Sequence, residues 1–291
     1  MPEERFAAAQ EQLEKALSGR GDLGERYRTW LGTQVVDPGL VERAAAVFAD
    51  DLRERTRERF GLPDGETVSF ESVQNEPWSG FNYYLGNRHS RVVVNTDLPI
   101  HSLDLPDLVA HEMYPGHHTE HAWKEALLVD GEGRLEESLF LTGTPQAIVS
   151  EGIATMARET IYGEDGEEIA AQTLAGLGIP AEADTARAVH AFRRAIDGLS
   201  VNGAYLLNEE GRPADEVRAY AERWSLLPRE RVEKWLSFLT HPTWRAYISS
   251  YSSGYELCRA FVGDDPSRFR LLLTEQLTTS DLVAKGGSRE A

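Results

Sequence analysis

The length, composition and charge of the chain are those of a globular protein and exclude several classes of function. Its 291 residues are 41% hydrophobic and 27% charged, which excludes a disordered or collagen-like chain and is typical of one or two globular domains. The 30 lysines and arginines against 48 aspartates and glutamates give a formal net charge of −18, which disfavours a nucleic-acid backbone or an anionic membrane surface as the partner. The single cysteine, Cys258, excludes an internal disulfide and a metal site built on several cysteines.

The N-terminal segment and the hydropathy pattern predict a cytoplasmic protein. The opening residues lack a cationic region, and the apolar run from Phe6 to Ala9 is too short for the core of a signal peptide. No stretch approaches the roughly 18 apolar residues of a membrane span. We therefore expect a cytoplasmic location and no membrane partner, and the sequence leaves the oligomeric state open.

The spacing of apolar residues predicts a mostly α-helical protein with one small β-sheet. Residues 1–65 are predicted to be helical, and Pro38 opens a helix that runs to Gly61. Residues 66–96 contain three short segments rich in β-branched and aromatic residues, which predict a small antiparallel sheet over 67–73, 81–85 and 91–95. Helical patterns return from residue 105 to the end, with breaks at glycine and proline. We expect one domain over residues 1–291, with its helical core in residues 105–291.

A cluster of histidines indicates a metal site. Four of the eight histidines fall within residues 111–121, together with Glu112 and Glu120. Imidazole nitrogen suits zinc, and a neighbouring glutamate can act as general base. The common spacing H-E-x-x-H fails, because Pro115 occupies its last position. On an ideal helix His117 would lie about 120° around from His111 and about 9 Å along, so the two could share a metal only if Pro115 and Gly116 kink the helix. We expect Gly116 to allow this through a positive φ.

Two alternatives to this arrangement remain open from spacing alone. Residues His117 to His121 fit the inverted order H-x-x-E-H, in which Glu120 is the base and no kink is needed. The other alternative is a histidine-rich helix without a metal. For a third protein ligand the best candidate is Glu151, which we expect to begin a helix beside the small residue Gly152, with Glu159 in reserve.

Several motifs together resemble one known family. Residues 111–118, HEMYPGHH, resemble the H-E-x-x-P-G-H-H signature of the bacterial "domain of unknown function 885" family. The E-G-W-A helix of that family is matched by residues 151–154, and the valine strand ending in Asn95 and the tyrosine-rich residues 247–255 are also similar. The chain departs from the family in lacking most of a long N-terminal helical part, in Ile153 for the tryptophan, and in Thr119-Glu120 for the usual Leu-Gln.

The resemblance implies a helical, metallopeptidase-like fold and a set of site residues. The family is similar to zinc carboxypeptidases of the Taq type, and its signature is regarded as a variant zinc-peptidase motif. Carried over to this chain, it implies His111, His117 and Glu151 as zinc ligands and Glu112 as the base. It therefore favours the kinked arrangement over the inverted one.

The sequence then predicts a zinc-dependent hydrolase, most simply a metallopeptidase that cleaves short peptides with a metal-activated water. The alternatives are a zinc hydrolase of another amide or an ester, and a metal-binding or scaffold protein without catalysis. Tyr251 and Tyr255, one helical turn apart, are candidate donors to the oxyanion, with Tyr247 one turn earlier and His241 in reserve. Further candidates are arginines for a substrate carboxylate and an edge strand for an extended peptide: Arg193, Arg194, Arg245 and residues 78–84.

Overall fold

The computed structural model describes residues 1–76, 78–242 and 244–286. It is 64% helical and contains one three-stranded sheet, which confirms the mostly α class with a small sheet insert. The elements in chain order are α1 Glu3–Ala16, α2 Leu23–Thr33, α3 Pro38–Phe60, β1 Thr67–Val73, β2 Gly80–Gly86, β3 His89–Asn95, α4 Leu105–Glu112, α5 His117–Lys124, α6 Pro145–Thr155, α7 Ala157–Tyr162, α8 Gly166–Gly176, α9 Ala183–Ala195, α10 Leu199–Asn208, α11 Ala214–Ser225, α12 Arg229–Thr240, α13 Ser249–Val262, α14 Pro266–Thr274 and α15 Thr279–Gly286. A π-helical turn at Glu125–Val129 follows α5, and short 3-10 turns lie at Leu135–Ser138 and Gly163–Asp165.

The chain divides into two compact units, whereas the sequence was interpreted as one domain. The first unit comprises Met1–Val36, Leu98–Leu103 and Glu167–Ser249, and the second comprises Asp37–Asp97, Asp104–Gly166 and Ser250–Ala291. The chain passes between the units several times, so neither is one continuous stretch of sequence. That residues 1–291 fold as a single domain stays a prediction.

The first unit is a helical assembly with its own aromatic core. Helix α1 buries Phe6 and Leu13 on one face, at the spacing of two helical turns. Phe6 packs against Trp224 of α11 with ring centroids 5.7 Å apart, and Tyr27 of α2 packs edge-on against Phe192 of α9 at the same distance. Contacts between aromatic side chains from distant stretches therefore hold this unit together.

The second unit contains the sheet, the histidine cluster and α3. Helix α3 begins at Pro38, as predicted, because proline suits the first turn of a helix and the Asp37 side chain accepts a hydrogen bond from the Gly39 N–H at 2.8 Å. It ends at Gly61, whose φ of 75° is costly for other residues. Between these ends Val41, Phe48 and Leu52 are buried at helical spacing.

The sheet is mixed, which corrects the prediction of an antiparallel one. Its strand order is β1-β3-β2, with β2 antiparallel to β3 and β1 parallel to β3. The physical reason lies in β3, where the consecutive residues Val92, Val93 and Val94 are all buried. A strand with side chains buried on both faces takes the central position, so β1 and β2 become the edges. No helix among the described residues has the length and apolar character needed to cross a membrane.

Candidate metal centre

The helix that carries the histidines is broken where proline and glycine predict a break. Helix α4 ends at Glu112 and α5 begins at His117, and the Tyr114–Pro115 peptide bond between them is cis. Gly116 has a φ of −73°, so the expected positive φ is wrong. Glycine is required there for space, since a Cβ would lie 1.9 Å from the main-chain oxygen of His111 and 2.4 Å from that of Ala110. The break folds α5 tightly against the end of α4.

This break brings together the three residues that the resemblance implies as ligands. His111 Nε2 lies 3.4 Å from Glu151 Oε2, and His117 Nε2 lies 3.6 Å from Glu151 Oε1. The imidazole rings of His111 and His117 are 4.8 Å apart and perpendicular. Ligand-capable atoms of all three residues lie within 4.8 Å of one another.

The spacing of these atoms fits a shared metal ion better than direct hydrogen bonds. Ligands about 2.1 Å from a tetrahedral centre lie about 3.4 Å from each other. A direct hydrogen bond between imidazole and carboxylate would be shorter, at about 2.7–2.9 Å. Two imidazoles and one carboxylate are also a donor set of catalytic zinc sites, in which the fourth position stays open. The residues present therefore fit the ion that the resemblance implies.

The electrostatics of the cluster favour an ionised carboxylate on Glu151 beside a positive charge. Burial alone raises the pKa of Glu151, but its contacts with His111 and His117 outweigh burial and hold the pKa far below its ordinary value. Burial lowers the pKa of His117, but the contact with Glu151 outweighs it and raises the pKa to about 9. Glu151 is thus ionised, and a positive charge is favoured beside it.

Glu151 reaches the cluster from the middle of α6, and a glycine contact between helices places that helix. The prediction that Glu151 begins a helix is wrong, because α6 starts at Pro145, with Thr144 as its cap. A Cβ at Gly152 would lie 2.3 Å from the main-chain oxygen of Gly254 in α13, and one at Gly254 would lie 2.2 Å from that of Ile148. The backbones of α6 and α13 are therefore in contact at these two glycines. This contact fixes the position of α6 and with it the position of Glu151.

Glu112, the predicted base, is buried beside the cluster and against the edge strand β2. Burial is the main reason why its pKa is raised, and the nearby charges of His111 and His117 partly offset this. A Cβ at Gly80 of β2 would lie 3.3 Å from Glu112 Oε1. Asn82, also on β2, donates from Nδ2 to the main-chain oxygen of Glu112 at 2.7 Å. Strand β2 is an edge of the sheet, as expected for residues 78–84, and it packs on the carboxylate.

His118, in the middle of the signature, belongs to a different network. It is fully buried, with Nε2 3.0 Å from Glu66 Oε2 and Nδ1 2.9 Å from Ser90 Oγ. Glu66 also accepts hydrogen bonds from the Tyr114 hydroxyl at 2.6 Å and from Arg53 Nε at 2.7 Å. Burial lowers the pKa of His118, which is therefore neutral and donates from Nε2. This network ties α5 to β3 and to Glu66 after α3.

Glu120, the base of the inverted arrangement, already has partners on both oxygens. Lys124 Nζ donates to Oε1 at 2.6 Å, and Ser150 Oγ donates to Oε2 at 2.5 Å. His117, Glu120 and His121 nonetheless form a second group whose ligand-capable atoms lie within 4.8 Å. Because the Lys124 ammonium occupies one oxygen of this group, the first group is the better cation site.

His121 lies among aromatic side chains beside this second group. Its ring is 5.3 Å from that of Tyr84 and 5.3 Å from that of Phe140, and it stacks on His117 at 6.1 Å. Burial lowers the pKa of His121 to about 4, despite the opposing charge of Glu120. His121 is therefore uncharged at neutral pH, and its ring packs between these aromatic side chains and His117.

The structure separates the candidate tyrosines. Tyr251 lies at the cluster, with its ring 6.2 Å from that of His111, and burial together with the charges of Glu151 and Glu112 raises its pKa. Tyr255, the other candidate donor to the oxyanion, instead donates from its hydroxyl to Glu159 at 3.1 Å. Glu159 is the residue that the sequence offered in reserve as a third metal ligand. Glu159 belongs to no metal-capable group among the described residues. Tyr247 precedes α13 and packs on Trp244, so the prediction that it lies one helical turn before Tyr251 is wrong.

The remaining candidates, one histidine and three arginines, belong to the first unit. His241 caps the C-terminal end of α12 with extended backbone, and Arg193 donates to the Tyr27 hydroxyl at 3.1 Å. Arg194 and Arg245 are in the same unit. Sequence reasoning missed Glu66, Ser150 and Lys124, of which only Lys124 left a signal, its position four residues after Glu120 on a helix.

Comparison with known proteins supports the fold. No family model matches the chain, and no curated protein matches it. Among solved structures, the chain is similar to the putative lipoprotein from Colwellia psychrerythraea, with a TM-score of 0.66 and 15% sequence identity. The match covers 97% of this chain and 49% of that one, so this chain spans about half the length of the matched protein. At this identity the likeness shows a shared fold.

The same comparison corrects the predicted location. The cytoplasmic assignment rested on the N-terminal segment and the hydropathy pattern. It is contradicted by the solved structure matched over 97% of this chain, because that protein is described as a lipoprotein. The cytoplasmic prediction is therefore wrong.

Proposed function

We propose that the chain is a zinc-dependent hydrolase that cleaves an amide bond, with short peptides as the substrate class. The observation that carries the proposal is the meeting of His111, His117 and Glu151, whose ligand-capable atoms lie within 4.8 Å of one another beside the buried carboxyl of Glu112. A structural zinc site would have four protein ligands, whereas this group has three and leaves a position for water and substrate.

The residues of the chain divide the work of hydrolysis among them. When bound, zinc supplies a Lewis acid that activates water and polarises a carbonyl oxygen. His111, His117 and Glu151 would hold the ion. The Glu112 carboxylate takes a proton from the attacking water and passes it to the nitrogen of the leaving amine. Strand β2 holds Glu112 in place, because Asn82 Nδ2 donates to its main-chain oxygen at 2.7 Å.

Tyr251 is the donor to the oxyanion in this proposal. Its ring lies beside His111, and its pKa is raised by burial and by the charges of Glu151 and Glu112. It therefore keeps its proton and can donate a hydrogen bond to the carbonyl oxygen as negative charge develops there. Tyr255 has no part in this step, because its hydroxyl donates to Glu159.

The same arrangement supports a place for the chain in the "domain of unknown function 885" family. The Pro-Gly break lies between the two signature histidines, and the glutamate of the E-G-x-A helix is the residue that joins them. The role of Gly116 in the close contact gives a physical reason for a glycine in that signature.

Metal content and peptide cleavage test the proposal together. Elemental mass spectrometry of the purified protein is expected to find about one zinc per chain, and His117→Ala is expected to lose it. Glu112→Gln removes the base and keeps the ligands, so it should retain zinc and lower the turnover of a peptide library by about 10²–10⁴-fold. Glu159→Gln is the matched control, since it makes the same change outside the cluster and should keep both zinc and turnover.

Each other outcome points to a different function. Zinc without turnover of any peptide, while another amide or an ester is hydrolysed, would favour the broader hydrolase. Zinc without any turnover would favour a metal-binding protein. No zinc in the wild-type protein, even after incubation with the ion, would refute the proposal.

A further inference from the structure

A line of buried polar side chains extends from His117 into the interior of the second unit. His117 Nδ1 lies 3.1 Å from Ser150 Oγ, Ser150 Oγ lies 2.5 Å from Glu120 Oε2, and Lys124 Nζ lies 2.6 Å from Glu120 Oε1. Ser150, Glu120 and Lys124, here called the buried triad, are at most 4% exposed. A lysine is rarely buried to this extent unless it is paired.

For each hydrogen bond along this line, only one of the two side chains can be the donor. Glu120 is paired with a buried ammonium, so it is a carboxylate and can only accept hydrogen bonds. Ser150 has a single hydroxyl proton, which it donates to Glu120, so its oxygen accepts from His117. His117 therefore carries its proton on Nδ1. In the neutral ring the lone pair therefore lies on the other nitrogen, Nε2, on the side of Glu151 and His111.

The neighbouring histidine is held in the opposite tautomer by a similar serine contact. Neutral His118 donates from Nε2 to Glu66, so its Nδ1 accepts from the Ser90 hydroxyl. Ser90 and Ser150 are both fully buried, and each contacts the Nδ1 of one histidine. Of these two histidines, His117 belongs to a metal-capable group among the described residues and His118 does not.

We propose that the buried triad positions His117 for metal binding, by fixing its ring and placing the proton on Nδ1 so that Nε2 faces Glu151. This inference rests on the proposed function, because it concerns the same site. It assigns positioning roles to Ser150, Glu120 and Lys124. Hydrogen bonds to the second nitrogen of a metal-binding histidine commonly contribute about 10–100-fold to metal affinity.

The experiment compares the zinc affinity of four proteins by competition with a chromogenic chelator. Ser150→Ala removes the acceptor for His117 and is expected to weaken zinc binding about 10–100-fold. Ser150→Thr keeps a hydroxyl and is expected to restore affinity to within about 3-fold of the wild type. Ser90→Ala is the matched control, since it breaks the equivalent contact of His118 and should leave zinc affinity unchanged. Equal affinity of Ser150→Ala and the wild type would overturn the proposal, and so would an equal loss in Ser90→Ala.

A spectroscopic measurement on the wild-type protein tests the tautomer without any substitution. Long-range ¹H–¹⁵N correlation spectra of the zinc-loaded protein are expected to show His117 protonated at Nδ1, and coordination through Nδ1 would overturn the proposal. The metal-free protein at about pH 10, where imidazole is neutral, should show the same tautomer. Failure to bind zinc with this tautomer intact would refute the proposed function, while the control of the His117 tautomer by the triad would stand. An Nε2–H majority in the metal-free protein would refute that control.

Discussion

The substitution Gly116→Ala tests whether close packing at the break between α4 and α5 builds the proposed metal site. An added Cβ would lie 1.9 Å from the His111 oxygen, about 1.5 Å inside ordinary contact, and 2.6 Å from the His111 carbonyl carbon. Both atoms belong to the backbone at the end of α4, so no side-chain rotation can relieve the clash. Overpacking of a rigid site costs up to about 3 kcal/mol, and a clash with backbone belongs at the upper end of that range.

The clash also predicts the effect on the metal site. Relief of the overlap requires α5 to move away from α4 by about 1.5 Å, and His117 is the first residue of α5. The separation of 3.6 Å between His117 Nε2 and Glu151 Oε1 would then exceed what one ion can span, since metal–ligand distances tolerate only about 0.2 Å. Zinc affinity is therefore expected to fall about 100-fold or more.

Urea unfolding in the presence of a chelator measures the loss of stability, and competition with a chromogenic chelator measures the loss of zinc affinity. The control is Gly32→Ala, a helical glycine in α2 whose Cβ would meet nothing within 4 Å. This variant should be as stable as the wild type or more stable by about 0.4–1 kcal/mol. A Gly116→Ala protein that unfolds within about 1 kcal/mol of the wild type and keeps its zinc affinity would refute the reasoning.

Two further predictions concern the packing of α6 and the protonation of His121. Gly152→Ala places a Cβ 2.3 Å from the Gly254 oxygen, so α6 and α13 should separate, with a loss of about 3 kcal/mol in urea unfolding; an unchanged midpoint would contradict this contact. The pKa of His121 is lowered to about 4 from an ordinary value of 6.5, so its contribution to stability is complete above pH 6.5 and is lost as the pH falls towards 4. In the presence of a chelator, the difference in free energy of unfolding between the wild type and His121→Gln should shrink as the pH falls from 6.5 towards 4. A difference that stays constant with pH would contradict the lowered pKa of His121.

Much of the candidate site could be predicted because its ligands lie in short, unusual stretches of sequence. Proline and glycine between two histidines predict a broken helix from local chemistry alone. The resemblance selected His111, His117, Glu112 and Glu151 from these stretches, and the structure brings all four together. The reason given for Gly116 was wrong, because a close contact with a preceding carbonyl depends on the path of the chain and not on the residue's own φ.

Residues whose partners are distant in sequence could not be predicted. The role of His118 depends on Glu66, 52 residues earlier, and the contact of Tyr255 depends on Glu159, 96 residues away. Tyr251 and Tyr255 are equivalent in sequence, one turn apart on α13, but only one of them faces the cluster. The mixed sheet was missed for the same reason, since the pairing of β1 with β3 passes over the strand between them in sequence.

The sequence by itself determined the helical class, the helix breaks and the side chains able to bind a metal, since these follow from composition, local backbone preference and donor chemistry. The tertiary structure decided which donors and acceptors meet and which hydrogen-bond partners the buried histidines have. These properties depend on distances of 2.5–3.6 Å between side chains from different elements. Such distances are set by the packing of α5 and α6 against their neighbours, which no local pattern of residues encodes.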